Sequence, residues 1–254
     1  MSVPDSPKIL ILGGTAEAAA IAEISFLRWG EGVLVITSLA GRTIAPSAIA
    51  GELRVGGFGG AAGMVNYLRK EEISAVVDAT HPFATRISEN ARLACEATEV
   101  PLLVFDRPAW QRKDGDQWHM MESASRAAEA LPEYGQRIFL TTGRGEISAF
   151  TSCTNIWFLV RLVDMPLEPL PLENAHVIAA RGPFTVEAEL ALMERHKIDV
   201  LVCKASGGEM TRAKLVAARE LGCPVLMISR PELSEGDRVS SVDAAVTRLS
   251  EILT

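Results

Sequence analysis

The stretch KILILGGTAE, residues 8–17, decides the fold of this chain. An apolar run over residues 9–13 passes directly into Gly14 and Thr15, and then into the helical pattern of Ala18, Ala19, Ala20 and Ile21. A buried strand followed by a glycine turn and a helix start presents backbone N–H groups and the positive end of a helix to a phosphate. Gly13 and Gly14 permit positive φ and close approach of a ligand, and Thr15 suits the N-cap. The motif is not a full G-x-G-x-x-G, because Ala16 and Ala19 stand where later glycines would be. A strand-to-helix turn without a ligand fits the same residues.

Outward from this stretch, short apolar runs alternate with helical patterns, the signature of an α/β fold with mainly parallel sheets. Strands are expected at residues 33–37, 75–79 and 101–105, helices over 64–70 and 84–98, with a glycine-rich stretch at 56–60. Residues 107–120 read as a polar turn and a short extended piece, followed by an alanine-rich helix. At Arg137 the pattern restarts: RIFLTTGRGE (137–146) repeats the strand-turn-helix logic, and further strands follow at 157–161, 176–180, 199–203 and 224–228.

The restart holds in register. VPLLVFDRP begins at Val100 and CPVLMISRP at Cys223, and without a gap Pro101 meets Pro224, Leu103 meets Leu226, Arg107 meets Arg230 and Pro108 meets Pro231. ISAVVDATHP from Ile73 likewise parallels IDVLVCKASG from Ile198. Several matched units in one order mark an internal duplication. Two lobes are expected, 1–133 and 134–254, with a ligand cleft between them and the ligand beyond the carboxyl ends of the strands.

Composition narrows the function. The chain has 254 residues, 48% hydrophobic and 22% charged, as in ordinary soluble globular proteins. No apolar run approaches the ~20 residues of a membrane span. The lead MSVPDSPK has no signal-peptide core and is expected to be short and disordered. The four cysteines form no C-x-x-C pair, which reads as a reducing, cytoplasmic setting. A formal net charge of −7 argues against nucleic acid as partner.

The turns carry the unusual residues. SLAGRT, residues 38–43, has no acidic residue for a ribose 2′-hydroxyl; Ser38, Gly41, Arg42 and Thr43 instead suit a 2′-phosphate, and a solvated loop arginine is the plainer reading. After the strand at 75–79 come Thr80, His81, Pro82 and Phe83, where His81 could polarise or protonate a ligand or simply hold the turn. In the second half Thr141, Thr142, Gly143 and Arg144 follow one strand, Arg161 ends the next, Arg181 opens RGPF, and Lys204 opens KASGG with Ser206 and Gly207. Four cations at strand ends of an acidic protein imply an anionic ligand, and several carboxylates spread over a broad molecule would use them well. The chain has no G-x-S-x-G, H-E-x-x-H or Walker lysine, and its four histidines are too scattered for a metal site.

In these motifs the chain resembles the precorrin-6A reductase family of cobalamin biosynthesis. The matching stretches run over almost its whole length: ILILGGTAEA, SLAGRT, VVDATHPFA, LTTGRGE, ARGPFTVEAE and CKASGGEMTRAKLVAA. The resemblance implies two Rossmann-like lobes, the first for the dinucleotide and the second for substrate and nicotinamide. It also implies NADPH-dependent hydride transfer to a double bond of the tetrapyrrole precorrin-6A, giving precorrin-6B, with product hand-over to neighbouring pathway enzymes as a further expectation. By this resemblance Gly13, Gly14 and Thr15 hold the pyrophosphate, and Ser38, Gly41, Arg42 and Thr43 the 2′-phosphate. Thr80, His81, Thr141, Thr142 and Gly143 line the nicotinamide, with His81 or a water as proton donor. Arg144, Arg161, Arg181, Lys204, Ser206 and Gly207 meet the substrate. The family commonly has Asn where this chain has Ala205, so any amide hydrogen bonds there are lost or shift to Ser206. The other readings are an NADH-dependent reductase of the cobalt-containing substrate and a non-catalytic NADP-binding sensor.

Overall fold

The computed structural model describes residues 6–41, 50–231 and 236–254. Part of the expected disordered lead (1–5), together with Arg42 and Thr43, lies outside the described residues. The chain runs through β1 (Lys8–Leu12), α1 (Ala16–Trp29), β2 (Leu34–Leu39), β3 (Glu52–Val55), α2 (Gly60–Lys70), β4 (Ile73–Asp78), α3 (Thr85–Thr98) and β5 (Leu102–Phe105). It continues as β6 (Trp118–Met121), α4 (Ala124–Ala130), β7 (Arg137–Leu140), a 3-10 helix over Arg144–Phe150, β8 (Trp157–Leu162) and β9 (Ala175–Ala179). Last come α5 (Val186–Arg195), β10 (Val200–Lys204), α6 (Ala213–Glu220), β11 (Val225–Ile228), β12 (Asp237–Val239) and α7 (Val242–Ile252).

Among the described residues these strands form two six-stranded sheets, ordered β12-β5-β4-β1-β2-β3 and β6-β11-β10-β7-β8-β9. Every pairing is parallel. Each sheet has the strand order of a doubly wound dinucleotide-binding fold, with the direction of winding reversing beside β1 in one and β7 in the other. The two orders are equivalent position by position, as the internal duplication requires.

By contacts the chain forms two units: Met1–Arg107 with Pro231–Thr254, and Pro108–Arg230. This differs from a division at residue 133. The strand and helix that end each repeat pair with the other repeat's sheet: β6 lies beside β11 and β12 beside β5. Both changes of unit fall at the matched Arg-Pro pairs, Arg107–Pro108 and Arg230–Pro231. A second difference concerns the restart after β7, where the segment Arg144–Phe150 is a 3-10 helix.

The first unit explains the apolar run that opens the chain. In a strand, successive side chains point to opposite faces, and β1 is covered on both. Ile9 and Ile11 pack with Ala18, Ile21 and Ala22 of α1 and with Ala245 and Leu249 of α7. Leu10 and Leu12 pack with Met64 and Leu68 of α2 and with Ala91 and Ala94 of α3. In the second unit Phe139, Leu159, Leu201 and Val225 pack with Met193 and Leu215. No helix among the described residues is long and apolar enough to cross a membrane.

Candidate functional site

In a doubly wound sheet, ligands bind beyond the carboxyl ends of the strands where the winding reverses. In the first unit that point lies between β1 and β4, and the turns after these two strands carry Gly13–Thr15 and Thr80–His81. Gly13 N–H donates to the carbonyl of Ser38 at 2.9 Å, which draws the turn against the end of β2. A Cβ on Gly13 would meet Thr37 Cγ2 at 3.0 Å, whereas one on Gly14 (φ +103°) would meet nothing within 4 Å. The turn is thus closed towards the sheet and open above Gly14.

Thr15 joins the two turns. Its Oγ1 accepts from Ala18 N–H at 3.1 Å, capping α1, and donates to the carbonyl of Ala79 at 2.7 Å. Thr15→Ala is expected to lower the unfolding free energy by about 1 kcal/mol and to weaken nucleotide binding in the same variant, as read by denaturant unfolding and nucleotide titration. Glu17, in the first turn of α1, is ion-paired to Arg107 at 2.6 Å.

On the β4 side, Asp78 is buried and its Oδ1 accepts from Thr80 N–H at 3.1 Å and Thr80 Oγ1–H at 2.7 Å. Thr80 and His81 line a shallow depression with Asp78, Ser88 and Arg107. His81 is exposed. Its Nδ1 accepts the Phe83 N–H at 3.2 Å, so the neutral ring carries its proton on Nε2.

Ser38 is the penultimate residue of β2 and is buried; Gly41, beyond it, has φ +71° with Val55 Cγ1 beside its Cβ position. The register pairs Ser38 with Arg54 on β3. Arg54 was not among the residues the sequence singled out, because ELRV (52–55) was not read as a strand. Its Nη1 donates to Ser38 Oγ at 3.2 Å, and its guanidinium lies 3.7 Å from the Phe58 ring centre.

The second unit reverses between β7 and β10, and its turns carry Thr141–Gly143 and Lys204–Gly207. Thr141 N–H and Oγ1–H both donate to the carbonyl of Val202, at 2.9 and 3.1 Å. Thr142 is 4% exposed, and among the described residues its Oγ1 has no hydrogen-bond partner. Lys204 Nζ is ion-paired to Glu146 at 3.1 Å. Ser206 and Gly207 are buried, and the carbonyls of Ala205 and Ser206 accept from Arg230 at 3.3 and 3.2 Å. Trp110 Nε1–H donates to the carbonyl of Gly208 at 2.7 Å. Arg230 and Trp110 brace this turn, and Arg230 was legible as the repeat partner of Arg107.

Arg144 and Arg181 are exposed and stand among the cations available to a ligand. Arg161 is not. It lies within β8, its side chain is 6% exposed, and it is ion-paired to Glu189 of α5, itself 2% exposed. The guanidinium also faces the rings of Phe139 and Phe184, at 4.8 and 3.8 Å. Arg161 shares a sheet face with Leu159, two residues earlier, which puts it under α5. Its expected role in binding substrate carboxylates is therefore replaced by an interior ion pair.

Lys214, opening α6, is also buried, and burial pushes its pKa down. The four cysteines are free, and among the described residues no group of three metal-ligating side chains gathers.

The family described as "Precorrin-6x reductase CbiJ/CobK" matches residues 8–250. The chain is 49% identical to a precorrin-6A reductase of Rhodococcus erythropolis over 89% of this chain and 90% of that protein. It is 41% identical to a precorrin-6A reductase of Rhodobacter capsulatus over 96% of each. A solved structure titled "CobK precorrin-6A reductase" superposes with a TM-score of 0.91 at 41% identity, covering 97% of each chain.

Proposed function

The chain belongs to the precorrin-6x reductase family, and from that premise we propose that it reduces a ring double bond of precorrin-6A with NADPH, giving precorrin-6B in cobalamin biosynthesis. Membership of a reductase family makes the chain an oxidoreductase and implies a nicotinamide cofactor. The observation that carries the reading is the reversal point of the first sheet, where a glycine turn open above Gly14 faces a turn bearing Thr80 and His81.

The residues present fit such a cofactor. The first-turn N–H groups of α1 lie behind a turn whose Gly14 leaves room for a pyrophosphate, and the helix end favours its charge. Ser38 stands at the ribose position, and by sequence Arg42 and Thr43 follow it. The bound nicotinamide supplies the hydride. His81 would serve as proton donor for the neighbouring carbon only as the imidazolium, with Nδ1 released from the Phe83 N–H, and an ordered water is its rival. Thr141 and Thr142 are assigned to the nicotinamide end. Arg144, Arg181 and Lys204 neutralise peripheral carboxylates of the macrocycle, with Ser206 and Gly207 shaping the turn beside Lys204. Arg161 acts through packing. The division of labour assigns the phosphates and ribose of the dinucleotide to the first unit, and the substrate and nicotinamide to the second.

The test is direct. Purified protein mixed with NADPH and precorrin-6A is expected to consume the reduced-nicotinamide absorbance in a one-to-one ratio with product. A folded protein that binds NADPH and leaves authentic precorrin-6A untouched would instead be a sensor, and the reductase reading would be abandoned.

A further inference from the structure

Ser38 occupies the point where a dinucleotide-binding sheet reads the adenosine ribose, the carboxyl end of β2. Its side chain is held by a residue that the reductase reading does not otherwise use. Arg54 donates through Nη1 to Ser38 Oγ at 3.2 Å and to the carbonyl of Gly56 at 2.6 Å, and through Nη2 to the carbonyl of Gly57 at 3.0 Å. The same guanidinium lies against Phe58 at 3.7 Å and faces Tyr67 at 4.9 Å. Phe58 and Tyr67 are themselves in edge contact, with ring centres 5.2 Å apart. Three hydrogen bonds and two rings fix a planar fork in one orientation.

The consequence lies in the proton of Ser38. A serine hydroxyl has one proton to give and two lone pairs to receive with. With Arg54 donating into one lone pair, the proton must point away from the guanidinium, and among the described residues none accepts it. A hydroxyl polarised in this way by a cation is a donor waiting for an anion. A ribose 2′-hydroxyl, neutral and able to donate or accept, gains little from that arrangement. A 2′-phosphate gains a charge-assisted hydrogen bond and the field of a guanidinium one bond behind it.

We propose that Arg54 is a positioning residue that holds Ser38 as a hydrogen-bond donor to the ribose 2′-phosphate, and that this pair sets the preference for NADPH over NADH. The proposal rests on the nucleotide-dependent reductase reading and deepens it by naming the pair that discriminates the cofactors. It needs no direct contact between Arg54 and the nucleotide.

The experiment measures dissociation constants of NADPH and NADH for the full chain without tetrapyrrole, so that binding is read apart from turnover. Arg54→Met keeps an aliphatic stem against Phe58 and removes the donors and the charge. It is expected to weaken NADPH binding about tenfold or more, the scale of one charge-assisted hydrogen bond, and to change NADH binding by less than about twofold. Ser38→Ala should act in the same direction, and adding it to Arg54→Met should cost less than about twofold more, since both changes break one path. Arg54→Lys should recover part of the NADPH affinity. Equal losses for both nucleotides, or no loss for either, would overturn the proposal and leave Arg54 as a brace of the turn at Gly56 and Gly57. Should Arg54→Met fail to fold, Ser38→Ala decides alone, because an NADPH loss no larger than the NADH loss contradicts the donor role. A folded wild-type chain that binds neither nucleotide fails at an earlier step, the reductase reading itself.

Discussion

Replacing Glu189 with alanine is expected to lower the unfolding free energy by about 3–5 kcal/mol, because it leaves the buried guanidinium of Arg161 without its counter-charge. Both partners are almost wholly buried, so neither is screened by solvent, and the flanking Phe139 and Phe184 rings leave Arg161 no route to water short of repacking the sheet face. The readout is a urea titration in which the midpoint falls with little change of slope. Replacing the pair together, Arg161→Met with Glu189→Leu, should come within about 1 kcal/mol of the parent or exceed it, because the desolvation of two charges disappears along with their attraction. A Glu189→Ala loss below about 1 kcal/mol would mean that Arg161 finds water after all, and would return it to the cations available for substrate.

Gly207→Ala is expected to reduce kcat/KM for the tetrapyrrole by roughly a hundredfold, the cost of a displacement of about 1 Å at a positioning element. Gly207 has φ +68°, and a Cβ there would sit 2.2 Å from the carbonyl oxygen of Pro108 and 3.0 Å from Arg230 Nη2. The first is backbone and cannot swing aside. Arg230 can move only by giving up the carbonyls of Ala205 and Ser206. Backbone strain adds about 1–3 kcal/mol to the folding cost. Nucleotide dissociation constants should stay near those of the parent, since the contacts broken belong to the turn after β10. Unchanged kcat/KM in a folded Gly207→Ala protein would show that the turn does not position the substrate.

The fold was legible in the sequence because buried parallel strands are apolar on both faces. Each expected strand lies within a residue or two of an observed one, and the duplicated segments occupy equivalent sheet positions. What was not legible was which sheet receives β6 and β12. A strand joins an edge through backbone hydrogen bonds, and two near-copies of one sheet offer equivalent edges, so the local pattern around Trp118 or Asp237 cannot choose. The glycine and threonine turns were legible as motifs with a mechanism. Arg161 was misread because a cation ending an apolar run looks the same whether it reaches solvent or turns inward, and only Glu189, 28 residues on, decides. Arg54 was missed because β3 is short and mostly exposed, with no apolar run to announce it.

The exchange of end strands bears on how the protein is made. The second unit is one uninterrupted stretch of chain, whereas the first is assembled from two pieces with the second unit between them in sequence. As the polypeptide leaves the ribosome, the first sheet keeps an open edge at β5 and lacks Ala245 and Leu249 from its core until the last segment is synthesised. An open parallel edge is a template for wrong partners, and β6, which emerges long before β12, holds the equivalent edge position in the other sheet. The second unit can therefore close during translation, while the first is finished only when its C-terminal helix arrives.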